Sequence, residues 1–388
     1  DSLVTIALDM YDGSTKFSLI AIPMFVLAGA IMNAGGITDR LINFVGAIIG
    51  FIRGGLAMVN IGVSLFFAEI SGSAVADVAA MGSILIPQMK KRGYSKEFSA
   101  AVTSSSASLA IIIPPSIPMI LYAASANTSV EQLFVAGIVP GLLGAGGLMT
   151  VAYIFAKRYN FPTEDAFRLS RLRATFIDAL PAFTLPVIIL GGIFGGYVTA
   201  TEAAGLAVLA ALVVSAWYGS LDLSHLRRAM LDGGIQTAVV MLLVAASVLM
   251  GGFLTRAQIP QQLAEGILSI TEQQWAILLI LNFFFLIVGF FLHSAAAIIL
   301  VIPIVIPLIT AAGIDPVHFG LVVTLNLAIG QQTPPVASVL VTACSVARAN
   351  IWEVSKVNIW FIGVLLFVLM LSTYVPSVPM FLVEYFYR

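Results

Sequence analysis

The amino-acid sequence predicts an all-α polytopic membrane protein built from inverted-topology repeats with two re-entrant helical hairpins. Three observations predict it. Hydrophobic residues fill 60% of the 388 positions and charged residues only 10%, whereas a soluble domain is about 45–50% apolar and about 25% charged. The apolar residues fall in long runs without period-2 alternation, which excludes barrel strands. The two halves of the chain also match one another at a constant offset.

A membrane span needs about 20 apolar residues. Runs at roughly 17–33, 41–52, 54–69, 97–113, 133–157, 176–198, 200–218, 235–254, 274–291, 316–330 and 355–375 are the candidates. Gly46, Gly50 and Gly54 recur every four residues, a spacing that lets helices pack closely in lipid. Two shorter runs, 73–89 and 294–311, contain Pro87, Pro303 and Pro307 and follow Ser-containing breaks. Re-entrant hairpins account for them better than clean spans. The polar stretches 163–175 and 220–233 mix Leu with Arg and read as interfacial helices or arms, with a solvated linker as the plain alternative.

Charge and cysteine content narrow the classes. A net charge of −1 points away from nucleic-acid binding and from electrostatic attachment to a membrane surface. The single cysteine, Cys344, excludes an intrachain disulfide and any Cys-based metal site. It reads as a small buried apolar side chain. The chain starts at Asp1 with no basic segment before the first apolar run, so it is expected to begin inside a longer polypeptide.

The self-match is the most specific signal. ILIPQMKKRGYSKEF, from Ile84, aligns with IVIPLITAAGIDPVHF, from Ile304. Pro307 lies 220 positions after Pro87, and Gly313 lies 220 after Gly93. The same offset carries Pro114–Pro115 onto Pro334–Pro335, and Ala123 and Ser125 onto Ala343 and Ser345. This divides the chain into a first repeat (1–160), a connecting segment (161–235) and a second repeat (236–388). The spans at 176–218 would have mates before residue 1, so at least one further helix is expected upstream. Lys90–Lys91–Arg92 follow the first hairpin, whereas Thr310–Ala311–Ala312 follow the second. Loops rich in Lys and Arg stay cytoplasmic. The hairpin bases are thus expected on opposite sides, with Lys157, Arg158, Arg168, Arg171 and Arg173 also cytoplasmic. Inverted repeats of this kind belong to secondary transporters, whose sites lie where helices break near the midplane.

Four breaks pair up under the offset. The first hairpin tip, Ser71–Gly72–Ser73, pairs with Phe291–Leu292–His293 beside Ser294. The interruption from Ala110 to Pro115 pairs with Gly330–Gln331–Gln332–Thr333–Pro334–Pro335. A proline pair removes two N–H donors and suits the first turn of the next helix. Each break therefore offers carbonyls from the ending helix and N–H groups from the next. The oxygens suit a small hard cation such as Na⁺, and the helix N-termini suit an anion. Ser104, Ser105, Ser106 and Ser108 crowd the same region; helix–helix glue is their alternative role.

Intramembrane charges are few, and each is a candidate. Asp77 lies just past the first tip and could line the cation site or hold the tip's N–H groups. Glu69 precedes that tip. Glu202 stands three positions after Thr199 and reads as its helix cap. His293 and Ser294 are adjacent on a helix and point about 100° apart, a poor arrangement for a nucleophile and its base. The chain holds no Gly-rich phosphate loop with a Lys, so nothing in it reads as an ATP hydrolase.

SGSAVADVAAMGSILIPQMKKRGY, SSSASLAIIIPPSIPMILYA, LPVIILGGIFGGYVTATEAAG and GQQTPPVASVLVTAC resemble the large membrane subunit of tripartite ATP-independent periplasmic (TRAP) transporters. The resemblance runs from about Phe17 to the C-terminus. It implies a bacterial inner-membrane, Na⁺-coupled importer with an elevator-type fold, no organic cofactor and no enzymatic activity. It implies two partners, a periplasmic substrate-binding protein and a small four-helix membrane subunit. The implied solutes are organic acids such as four-carbon dicarboxylates, other carboxylates and sialic acid. The implied cation sites, at the two hairpin tips, are Ser71, Gly72, Ser73 and Asp77 with Ser106, Ile113 and Pro114, and His293 and Ser294 with Gly330, Gln332, Thr333 and Pro334. The anion is expected against Ser73, Ser105, Pro115, Ser294 and Thr333. The second tip has no close copy of Ser-Gly-Ser, which leaves its individual ligands open. All breaks fall within 71–126 and 291–346, the segments expected to move as a body against a scaffold of the remaining spans and arms. A passive anion channel is the alternative from another class, and an intramembrane enzyme the third.

Overall fold

Within a bilayer the backbone must satisfy its own polar groups, and helices do so segment by segment. The computed structural model describes residues 3–163, 166–220 and 222–387, with the side chains of 3–7, 9, 69–71, 223 and 225 outside the description. The first half holds α1 (Leu3–Ser14), a 3₁₀ turn (Phe17–Ile20), α2 (Ala21–Ala34), α3 (Ile37–Ile49), α4 (Gly55–Ser71), α5 (Ala74–Lys91), α6 (Lys96–Ala107), α7 (Ile117–Ala126) and α8 (Val130–Arg158). The connection holds α9 (Leu169–Ala179), α10 (Thr184–Pro186), α11 (Gly192–Phe194) and α12 (Ala200–Trp217). The second half holds α13 (Leu223–Arg256), α14 (Ile259–Ile270), α15 (Gln274–Phe291), α16 (Ser294–Ala311), α17 (Pro316–Gly330), α18 (Ser338–Ala347), α19 (Ile351–Tyr374) and α20 (Ser377–Tyr387). Seven helices among the described residues are long and apolar enough to cross a membrane. An eighth span results if α9 and residues 184–194, bent by 53°, are taken as one.

The two polar stretches read as interfacial helices or arms are helical. Residues 169–175 lie inside α9, the first limb of the bent pair. Residues 223–233 run without interruption into α13, a helix of 34 residues. Gly233 and Gly234 cost that helix about 1 kcal/mol each, but Gly233 lies where α13 packs on Val26 and Leu27 of α2. Tertiary packing outweighs the local propensity.

The repeat is visible element by element. α15, α16, α17, α18 and α19 each start within one residue of α4, α5, α6, α7 and α8 displaced by 220 positions. The same displacement carries residues 3–34 to 223–254, so α1 and α2 together correspond to the single helix α13. Packing between the halves is reciprocal. α5 lies on α18 and α16 lies on α7; α6 lies on α19 and α17 lies on α8. Such exchange of equivalent contacts is what a two-fold relation produces. Helix caps repeat as well: Ser95 Oγ accepts from Phe98 N at 3.1 Å, and its mate Asp315 Oδ1 accepts from Val317 N at 2.8 Å. Glu202 is the helix cap the sequence suggests, its carboxylate accepting from Thr199 N at 2.8 Å. Two lysines hold helix C-termini, where a cation is favoured. Lys90 Nζ donates to Ala347 O at the end of α18 (3.1 Å), and Lys16 Nζ donates to Ala124 O near the end of α7 (2.7 Å).

Candidate functional site at the helix breaks

The first tip is seated on the first break. Gly72 turns the chain between α4 and α5 with φ +57°, a conformation that costs an L-residue about 1–2 kcal/mol. A Cβ there would stand 2.9 Å from Pro115 O and 3.0 Å from Ile117 N. Ser73 caps α5 in extended conformation, and its carbonyl accepts from Asp77 N at 3.0 Å. Asp77 is 1% exposed in the first turn of α5, where the helix dipole favours a carboxylate. The side chain of Ser71 lies outside the described residues.

Opposite the tip, α6 tightens into a 3₁₀ turn over Ser108–Ile111, and α7 restarts at Ile117 with Ser116 as its cap. Ser116 Oγ donates to Ile111 O at 2.7 Å and accepts from Met119 N at 3.4 Å. Ile113 N donates to Leu109 O at 2.8 Å. The Pro114–Pro115 bond is cis, as is Pro334–Pro335. The break rests on α8, where a Cβ on Gly137 would meet Ile112 O at 2.1 Å and one on Gly141 would meet Ile113 Cγ1 at 2.4 Å.

At the second tip, His293 caps α16 with Nδ1 accepting from Ala295 N at 3.4 Å, and Ser294 is buried as the first helical residue. α15 approaches the second break backbone to backbone, since a Cβ on Gly330 would stand 2.5 Å from Gly289 Cα. Thr333 Oγ1 donates to Ile329 O at 3.0 Å beside Pro334.

Buried carboxamides tie these parts together. In the first half, Ser106 Oγ donates to Asn60 Oδ1 (3.2 Å), and Asn60 Nδ2 donates to Thr103 Oγ1 (2.6 Å). In the second, Asn326 Nδ2 donates to Asn282 Oδ1 at 2.7 Å. Asn326 is Ser106 displaced by 220, so each hairpin's first arm is bonded to the same position of its broken helix, from arm residues, Asn60 and Asn282, two positions out of the 220 register. A third group crosses the halves. Gln332 Nε2 donates to Ser104 O (2.6 Å), Ser104 Oγ donates to Gln332 Oε1, Asn358 Nδ2 donates to Gln332 O (3.2 Å), and Ser105 Oγ donates to Asn358 Oδ1 (2.6 Å). The Ser105, Ser106 and Gln332 side chains thus join the breaks to the helices around them. Asn60, Asn282, Asn326 and Asn358 escaped the sequence reading. Their signal was present, a lone carboxamide inside an apolar run, which is costly to bury unless bonded.

Two cavities flank this unit. The larger, about 710 Å³, lies between α5, α2 and the first third of α13 and is lined by Asp77, Asn33, Arg228, Asp232 and Gln236 among others. The smaller, about 200 Å³, lies between α16, α7, the α1–α2 turn and the second half of α13. They are mates under the repeat: Ala79, Ser83, Gly233 and Gln236 line the first, and the residues at the same 220-position displacement, Ile299, Pro303, Gly13 and Lys16, line the second.

Re-entrant hairpins seated on broken helices, repeated in two reciprocally packed halves, define a membrane transport protein of the broken-helix kind. The family model described as tripartite ATP-independent periplasmic transporter, DctM component, matches residues 2–378, and the chain belongs to that family. It is 42% identical over 382 residues to the uncharacterized protein YgiK of Salmonella typhimurium, covering 98% of this chain and 88% of that one. It is 40% identical over 368 residues to the isethionate TRAP transporter permease protein DctMQ of Oleidesulfovibrio alaskensis, covering 94% of this chain and 58% of the relative. The solved structure of the YdaH transporter of Alcanivorax borkumensis superposes with a TM-score of 0.70 at 14% identity, over 96% of this chain and 87% of that one, a likeness of fold alone. Membership makes the chain the large membrane component of a transporter rather than an enzyme.

Proposed function

We propose that the chain is the large permease of a Na⁺-coupled importer in a bacterial inner membrane. It takes a small organic anion, a carboxylate or sialic acid, from a periplasmic substrate-binding protein and works with a small four-helix membrane subunit. The hairpins and broken helices (71–126 and 291–346) move as one body against α2, α12 and α13, carrying the anion between the two faces. One observation carries this reading. The two cavities occupy equivalent places against the two hairpins yet differ in volume, about 710 against about 200 Å³. A shift of the hairpin body that closes the first opens the second. The chain then faces the cytoplasm, given the Lys90–Arg92 cluster at the base of the first hairpin. Ser73, Asp77 and the turn before Pro115 supply oxygens for one cation; Ser294, Thr333 and the turn before Pro334 supply them for another.

The test is counterflow in proteoliposomes holding the complete transporter. A carrier exchanges labelled solute against unlabelled solute, and a channel does not. Asp77→Ala and Ser73→Ala are expected to lower the apparent Na⁺ affinity of uptake more than they lower folded protein. Unchanged Na⁺ dependence in both would remove the cation from the first tip.

A further inference from the structure

The larger cavity has two walls of different character. The wall on α5 carries Asp77 among alanines, and the reading above assigns Asp77 to a cation. The wall on α13 presents Arg228, Asp232 and Gln236 at four-residue intervals, so the three stand in one row at steps of about 6 Å. Asn33 of α2 adds an amide. Arg228 enters no ion pair among the described residues, its neighbour Asp232 included. Arg228 lines the cavity as an exposed residue, and its guanidinium donors are uncommitted among the described residues.

The chemistry of that row is selective. A guanidinium is a planar fork of donors that matches the oxygens of an acid group. A carboxylate one helical turn away only accepts. It attracts hydroxyl, amide or ammonium groups on the same ligand and repels a second acid group. A dicarboxylate spanning from Arg228 along α13 would bring its far end onto Asp232. The smaller cavity is likewise lined by one cation, Lys16, at the position equivalent to Gln236. There Lys16 is held by Ala124 O at 2.7 Å. Each face of the carrier thus offers the anion a single scaffold cation.

We propose that this cavity selects small organic mono-anions bearing hydrogen-bond donors over dicarboxylates, with Arg228 binding the acid group and Asp232 the donors. The proposal rests on the anion-carrier reading and sharpens its substrate class.

Binding to the detergent-purified transporter, read as the concentration dependence of its thermal midpoint at fixed NaCl, tests it. The probes are isethionate and N-acetylneuraminate, each with one acid group and donors, and succinate, with two acid groups and no hydrogen-bond donor. Wild type is expected to bind one of the first two more tightly than succinate. Arg228→Gln should weaken that binding by about tenfold, with Arg228→Lys in between. Asp232→Asn should strengthen succinate by about two- to fivefold, the scale of one exposed like-charge contact. Stabilisation by Na⁺ alone should be unchanged in all three variants, which a merely structural role for either side chain would not allow. The proposal is overturned if wild type prefers succinate, or if Arg228→Gln binds the mono-anion as wild type does. Wild type binding none of the three probes overturns the anion-carrier reading itself, and this inference with it.

Discussion

Gly72→Ala isolates the seating of the first hairpin tip when it is compared with Gly93→Ala at the base of the same hairpin. Both glycines are left-handed, with φ +57° and +86°, so an alanine pays about 1–2 kcal/mol of backbone strain at either. Their surroundings differ. A Cβ on Gly93 meets nothing within 4 Å, whereas one on Gly72 stands 2.9 Å from Pro115 O and 3.0 Å from Ile117 N. Those are backbone atoms of a turn pressed against α8, so the contact can be relieved only by lifting the tip. Overpacking of this kind adds about 1–3 kcal/mol. Gly72→Ala should therefore unfold about 2–6 °C below Gly93→Ala, taking roughly 2 °C per kcal/mol for a chain of this size. The assay is thermal unfolding of both variants in one detergent at one scan rate, since membrane proteins of this size commonly unfold irreversibly. A NaCl titration in the same samples should show that Gly72→Ala needs more salt for its stabilisation and that Gly93→Ala does not. Equal midpoints and equal titrations would mean that the tip does not rest on the break, and the first cation site would lose its geometry.

Gln332→Leu and Asn358→Leu each strand buried partners and should cost about 1–3 kcal/mol. The double variant should cost less than their sum by about 0.5–3 kcal/mol, read from thermal unfolding; additive losses would show that the cross-repeat network is not one unit. A reducible bifunctional thiol reagent joining Ala80→Cys on α5 to Ala229→Cys on α13, across the larger cavity, should abolish uptake reversibly with reductant. Undiminished uptake in the fully cross-linked protein would exclude relative motion of those walls.

Much of this arrangement was legible in the sequence because the signals were covalent or periodic. The proline pairs at 114–115 and 334–335 interrupt their helices wherever they are placed, and the 220-position register fixed which breaks correspond. The surface-arm reading of 220–233 rested on local polarity. What no local window contains is the partner on α2 on which α13 packs as it continues through Gly233. The carboxamides were passed over because Asn60, Asn282, Asn326 and Asn358 come from four different helices, and their meaning appears only when each meets its partner. The cavity row of Arg228, Asp232 and Gln236 was hidden for the same reason. Its four-residue spacing is plain in the sequence, but α5 faces it from about 150 residues away.

The reciprocal packing of the hairpins sets the order in which the chain can be made. α5 ends at Lys91, and its seat α18 begins at Ser338, with 246 residues between them. At about 5–20 residues per second, the ribosome needs roughly 12–50 s to deliver that seat. Through that interval the first hairpin, with a buried aspartate in its opening turn, has no permanent partner on the far side. The second hairpin meets the opposite circumstance, since α7 is in place before α16 emerges. The insertion machinery must therefore shelter one hairpin and not its twin, and the first half made alone is expected to be a target of membrane proteolysis until the second half is supplied.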